Sequence, residues 1–223
     1  MASSVFAGGQ LAGIFLAVDD YDYSEPPLPV HRPPRYNDVV ETKPTLVVIS
    51  GPPGAGKTTL AHLLARRIGC PAICRDEIKE GMVHTAGGII AAPSNELTLR
   101  TLPTFFNVLR LLLTAGVTTV AEAAFQDRLW RPGLQPLIGI ADIRVVHCRV
   151  AAQTAFGRVQ RRQNENATRR AHADTSLGDH QTLAVGHHGF QPVRLDVPEI
   201  EVDASDGYRP GLDEIVAFVN AGR

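Results

Sequence analysis

The stretch Gly51-Pro52-Pro53-Gly54-Ala55-Gly56-Lys57-Thr58-Thr59 decides how the rest of this chain is read. It satisfies every specified position of G-x-x-x-x-G-K-[ST], a loop that wraps backbone N–H groups around phosphate oxygens. In a chain with three lysines, chance produces this pattern in roughly a few per thousand sequences. Just before it, Thr45–Ser50 is a short apolar, β-branched run bounded by Pro44 and Gly51, the pattern of a buried parallel strand. Just after it, Leu60, Leu63, Leu64 and Ile68 recur at helical spacing until Gly69 ends the pattern. Strand, glycine loop and helix form the setting that the motif requires.

The backbone supplies the chemistry. Gly51, Gly54 and Gly56 let the chain turn tightly and bring successive N–H groups onto a phosphate. Pro52 and Pro53 have no N–H, so the donors fall to Ala55, Gly56, Lys57, Thr58 and Thr59 at the helix N-terminus. Lys57 is expected to reach the β- and γ-phosphates of ATP, and the Thr58 hydroxyl to ligate Mg²⁺.

The 223 residues suffice for one α/β domain with a full core and an appended segment. A formal net charge of −1 creates no global field toward nucleic acid or an anionic membrane. Cys70, Cys74 and Cys148 show no zinc-type spacing and read as free thiols of a reducing, cytoplasmic compartment. Residues 1–44 differ from the rest. Leu11–Val18 is apolar, but no positive residue precedes it and it is far too short to span a bilayer, so neither a secretory signal nor a membrane anchor is expected. Five prolines between Pro26 and Pro34 exclude regular structure there and point to an extended arm. The division is therefore an arm, 1–44, and a phosphate-binding domain, 45–223.

Beyond the loop, Pro71–Arg75 reads as a second strand that delivers Asp76 at its C-terminal end, where open α/β sheets bind their ligands. A carboxylate there can accept the proton of an attacking hydroxyl; equally, Asp76 can cap a helix starting at Glu77. Val83–Pro93 reads as an apolar, glycine-bearing loop, and Ser94–Gly116 as a long helix bent at Pro103. Arg100, early in that helix, points either into a substrate cleft or to solvent. Val117–Phe125 is a third strand carrying one acid, Glu122, which can hold Mg²⁺ through water, orient a substrate or serve structure. Gln126–Gly139 reads as a proline-broken helix and Ile143–Val150 as a fourth strand, with His147 a core histidine. In the helix Ala151–Gln163, Arg158 and Arg162 stand at i and i+4 on one face. With Arg161, Arg169 and Arg170 they place five arginines within thirteen residues. That patch is either a solvated face or a lid that clamps a transferring phosphoryl group. His180, His187 and His188 lack acidic or cysteine partners at metal spacing. Ile200–Asp203 is a fifth strand and Leu212–Val219 a closing helix.

With these pieces in order, residues 45–221 resemble the small P-loop kinases of the AAA_33-type family, a group similar to chloramphenicol phosphotransferase, gluconate kinase and the kinase domain of phage polynucleotide kinase. The resemblance rests on the loop, on Arg75-Asp76-Glu77-Ile78, on the Arg158/Arg162 pair, and on Arg169-Arg170-Ala171-His172-Ala173-Asp174 as a lid. It implies a P-loop NTPase three-layer fold, with a five-stranded parallel sheet in order 2-3-1-4-5 flanked by helices. It also implies γ-phosphoryl transfer from ATP to a hydroxyl, with Asp76 as base, Arg158 and Arg162 on nucleotide and phosphates, and the turn Asp203–Gly207 near adenine. Glu122 departs from the aspartate common at its position. The expectation is an ATP- and Mg²⁺-dependent kinase of a small hydroxyl-bearing molecule. A 5′-hydroxyl nucleic-acid kinase ranks below it, because no basic stripe with stacking aromatics lies outside the lid. The third reading is a nucleotide-dependent switch with slow hydrolysis, for which Asp76 would be dispensable.

Overall fold

Thr45–Ser50 forms β1, and all six of its side chains are buried. A run of alternating up and down side chains can be apolar throughout only where both faces of a sheet are covered, which identifies β1 as a central parallel strand. A computed structural model describes residues 43–87, 96–165 and 189–221. The expected arm lies outside these residues except for Lys43 and Pro44. Within them the chain runs β1, α1 (Lys57–Ile68), β2 (Ala72–Cys74), α2 (Arg75–Thr85), α3 (Glu96–Thr114), β3 (Thr119–Glu122), α4 (Asp127–Leu134) with a 3₁₀ turn (Gln135–Gly139), β4 (Asp142–Arg149), α5 (Ala152–Glu165), β5 (Glu199–Asp203) and α6 (Leu212–Asn220).

The sheet order is β2-β3-β1-β4-β5, and every neighbouring pair is parallel, as expected. Two apolar clusters cover its faces. Leu46, Val48, Phe105, Leu109, Phe125 and Trp130 build one, beneath α3 and α4. Val47, Ile49, Leu60, Leu64, Val202 and Ile215 build the other, beneath α1 and α6. Each fully buried aliphatic side chain contributes about 1.5–3 kcal/mol, so the layers are held chiefly by this alternation along β1. No described helix is long and apolar enough to cross a membrane.

Register positions the site. Ile49 pairs with Glu122, and Cys74 also pairs with Glu122. The C-terminal ends of β1, β3 and β2 therefore come level, and the segments leaving them meet above the sheet.

Several expected boundaries move. β2 ends at Cys74, not Arg75, because Arg75 already opens α2 with Cys74 at the N-cap. Asp76 consequently sits inside the first helical turn and is not the cap of a helix starting at Glu77. α2 continues to Thr85, into the expected loop, because Lys79 and Val83 at i and i+4 are both buried on one face. The rest of that loop, 88–95, lies outside the described residues. α3 remains one helical element through Pro103. Cys74 and Cys148 are buried free thiols and Cys70 is half-buried. His147 is buried as expected, and its Nε2 lies 3.3 Å from Glu199 Oε2.

Candidate active site

The loop between β1 and α1 is pressed against the neighbouring strands. A Cβ at Gly51 would lie 2.5 Å from the Cys148 carbonyl oxygen, and one at Gly54, where φ is +80°, would lie 2.6 Å from the carbonyl oxygen of Ala155 in α5. Backbone cannot yield as a flexible side chain can, so both positions demand glycine. Gly54→Ala is expected to lower the unfolding free energy by at least about 1–3 kcal/mol from backbone strain alone, measured by denaturant titration. Wild-type stability in that variant would mean that loop and α5 separate without cost.

Gly56 occupies the N-cap of α1 in the left-handed region, with φ of +77°; no side chain caps the helix and no acid occupies its first turn. Free N–H groups and an uncompensated positive dipole end make this terminus receptive to an anion. The Ala55 N–H donates to the Pro52 carbonyl at 3.2 Å and closes the turn.

Lys57 and Thr58, the first two residues of α1, both meet Glu122 at the end of β3. Lys57 Nζ donates to the Pro52 carbonyl at 3.1 Å and stands 3.8 Å from Glu122 Oε1. The Thr58 hydroxyl donates to Glu122 Oε2 at 3.1 Å. Glu122 is only 4% exposed. Burial pushes its carboxyl above the ordinary range, the Lys57 ammonium opposes that shift, and the Asp76 carboxylate adds to it. Thr58, Glu122 and Asp76 offer oxygen donors only, a hard set that suits Mg²⁺.

Asp76, half exposed, is held by Arg75, whose Nη1 donates to Asp76 Oδ1 at 3.0 Å. The buried Arg75 Nε has no partner among the described residues. Lys57, Thr58, Arg75, Asp76, Glu122, Trp130 and Arg162 all line one cavity of about 140 Å³. Behind Trp130, which lines this cavity beyond β3, lies Phe125, a fully buried residue with φ of +46°. Such a conformation costs a bulky residue about 1–3 kcal/mol. Here it is held by ring contacts, edge-on to Trp130 with centroids 4.9 Å apart and tilted against Phe105 at 6.0 Å.

A second cavity of about 360 Å³ shares Gly54, Thr58 and Arg162 with the first and continues along Thr59, Arg158, Arg161, Gly207 and Tyr208. Arg158 braces its two sides. Its guanidinium donates to the carbonyls of Gly54, Ala204 and Ser205 at 3.4, 2.7 and 2.9 Å. Arg162 Nε donates to the Arg158 carbonyl at 3.4 Å. The Tyr208 hydroxyl, whose pKa is raised by burial, donates to the Gly56 carbonyl at 3.3 Å.

Sequence-expected residues thus divide. Lys57, Asp76 and Glu122 line the first cavity alone, Gly56, Thr59 and Arg158 the second alone, and Gly54, Thr58 and Arg162 both. Gly51 and Ala55 line neither; the Gly51 N–H is directed to the Ala124 carbonyl at 3.4 Å. Arg100 is exposed on α3 and is not among the residues lining either cavity. Arg169 and Arg170 lie outside the described residues. Arg75, Trp130 and Tyr208 were not identified as site residues from the sequence; Arg75 stood only as the neighbour of Asp76 in its motif, no motif marks Trp130 or Tyr208, and tertiary structure brings all three in.

Residues 46–183 match the AAA_33 family, described as an AAA domain. No curated protein matches the chain. Among solved structures, the chain is similar to a candidate kinase from Chloroflexus aurantiacus, with 23% identity, a TM-score of 0.70, and coverage of 80% of this chain and 97% of that one. It is also similar to a sugar kinase from Janibacter, with 19% identity, a TM-score of 0.55, and coverage of 81% and 96%. An APS kinase from Mycobacterium tuberculosis has 16% identity, a TM-score of 0.54, and coverage of 81% and 99%. These likenesses agree with the parallel sheet order and with the loop that opens α1, and with the family match spanning most of the domain, the chain belongs to the AAA_33 family of P-loop proteins.

Proposed function

We propose that this protein is an ATP- and Mg²⁺-dependent kinase that moves the γ-phosphoryl group to a hydroxyl of a small molecule. One observation carries the reading: a lysine, a hydroxyl, two carboxylates and two arginines converge on one cavity at the ends of three strands. In this reading the α1 N-terminus and Lys57 take the β- and γ-phosphates, replacing the contacts of Lys57 with Pro52 and Glu122. Thr58, with Glu122 behind it, holds Mg²⁺, which neutralises charge on the phosphate oxygens. Asp76 accepts the proton of the attacking hydroxyl, and Arg75 keeps its carboxylate oriented. Arg162 stabilises charge spread over the transferring group. The larger cavity between Arg158 and Tyr208 takes the nucleoside, in keeping with adenine near the turn after β5.

The test uses ATP labelled on its γ-phosphate, offered with a panel of hydroxyl-bearing metabolites and antibiotics and with 5′-hydroxyl oligonucleotides. Label is expected on a small molecule. Label on oligonucleotides only would support a nucleic-acid kinase instead, and release as inorganic phosphate alone would support a nucleotide switch.

A further inference from the structure

On the far side of the strand-to-helix turn that carries Asp76, three metal-ligating side chains from three elements come together. His62 projects from the middle of α1, Cys74 ends β2, and Glu77 stands in the first turn of α2. Their ligand atoms all lie within 4.8 Å of one another. His62 Nε2 is 2.6 Å from Glu77 Oε1 and 3.8 Å from Cys74 Sγ. Glu77 also accepts a hydrogen bond from the thiol. Ligands around a tetrahedral zinc ion lie about 3.3–3.7 Å apart, so the sulfur–nitrogen separation already fits and the nitrogen–oxygen one needs to open by under about 1 Å.

The geometry points to a binding site for a thiophilic divalent cation, Zn²⁺ above all, made by His62 Nε2, Cys74 Sγ and Glu77 Oε1 with water as the fourth ligand. Access is open, since the His62 and Glu77 side chains are 38% and 47% exposed, while Cys74 is buried beneath them. The donor set separates this ion from the Mg²⁺ of the nucleotide site. Sulfur and imidazole select zinc-like ions, and Mg²⁺ prefers oxygen ligands and water. The surroundings favour it as well. The carboxylates of Glu122, Glu77 and Asp76 all bear on the Cys74 sulfur. Their negative field works against a lone thiolate and in favour of a dication at the same point. On binding, the Cys74 S–H bond breaks and a sulfur–metal bond forms, with the proton leaving to buffer. The Nε2 proton that His62 directs at Glu77 Oε1 in the free protein passes through solvent to Nδ1, and the neutral imidazole offers Nε2 to the metal. Thiolate, carboxylate and dication then sum to zero charge. The ion ties α1 to the β2–α2 turn through Cys74, which adjoins Arg75, and Glu77, which adjoins Asp76.

The site does not depend on kinase activity and is tested on the full chain without nucleotide, by titration with Co²⁺ followed by displacement with Zn²⁺. One Co²⁺ per chain is expected, with the near-ultraviolet band of thiolate-to-cobalt charge transfer and the intense visible bands of four-coordinate cobalt. Cys74→Ser should abolish the charge-transfer band, and Cys70→Ser should leave it intact. His62→Gln and Glu77→Gln should each weaken binding more than about tenfold, since loss of a group that merely orients a ligand already costs about 10–100-fold. Zn²⁺ should raise the melting temperature of the wild type and not that of His62→Gln, a part-exposed position at which folding is retained and can be checked by circular dichroism. Only weak six-coordinate cobalt spectra, a charge-transfer band that survives Cys74→Ser, or one that is lost in Cys70→Ser would each overturn the assignment.

Discussion

Lys57→Ala is expected to abolish stabilisation by ATP. A ligand at 100 times its dissociation constant stabilises the native state by about 2.7 kcal/mol. For a chain of this size that corresponds to a rise of about 5–11 °C in melting temperature. Wild-type protein should show a rise of that order with saturating ATP and Mg²⁺, and the variant should show none. The reason lies in the geometry. Lys57 is the cation at the mouth of the α1 N-terminus, and among the described residues it meets the Pro52 carbonyl and Glu122, contacts that phosphate oxygens would replace. Removing it takes away the cation that faces the nucleotide phosphates and puts nothing in its place, so that attraction is lost. The variant should still fold, because Glu122 is already pushed toward its neutral form by burial. The melting curve without nucleotide serves as the control. A thermal shift equal to that of the wild type would remove the basis for reading this loop as a phosphate site.

The second large effect concerns Asp76. Asp76→Asn should lower kcat about 10²–10⁴-fold, equivalent to about 2.7–5.5 kcal/mol of transition-state stabilisation, with little change in the thermal shift produced by ATP. Asparagine keeps the size of the side chain and an oxygen to accept from Arg75 Nη1, whereas it cannot take a proton. The stability cost should be small. Asp76 occupies the first turn of α2, where its charge complements the helix dipole by about 0.3–1 kcal/mol, and it is not the N-cap whose loss would cost more. Chemistry, binding and folding are therefore separated in one variant. A kcat within a few-fold of the wild type, measured with an acceptor from the labelling screen, would sink the assignment of Asp76 as base and leave transfer to positioning and electrostatics.

Much of the fold was legible in the chain because its signals are local. An unbroken apolar β-branched run, a glycine loop and a helical apolar period identify β1, the phosphate loop and α1 within twenty-five residues, whereas the later signals are weaker, down to β5, where Ile200 and Val202 alternate with acids. Lys57, Thr58 and Asp76 follow from that frame, since a parallel sheet delivers its loops to one edge. Boundaries were less legible. The α2 start at Arg75 and its extension to Thr85 depend on which face Lys79 and Val83 can bury, a question that neighbouring elements answer.

What the chain by itself determined is the chemistry of its loop, because backbone N–H groups, glycine conformations and one lysine suffice to hold phosphate wherever they occur in that order. What only the tertiary structure decided is the company those residues keep. Strand register set Glu122 beside Lys57 and Thr58, neighbours that its position in the third strand did not name. Folding turned the Arg158 guanidinium onto the carbonyls of Gly54, Ala204 and Ser205, partners that its place beside Arg162 on a helix face did not announce. Cys74 had no metal spacing along the chain, yet His62 and Glu77 converge on it from two helices. Side-chain period and turn chemistry act over a few residues and can be read in one dimension. Pairwise distances between strands and helices depend on how the whole sheet closes, and the spacing of residues along the chain carries no record of them.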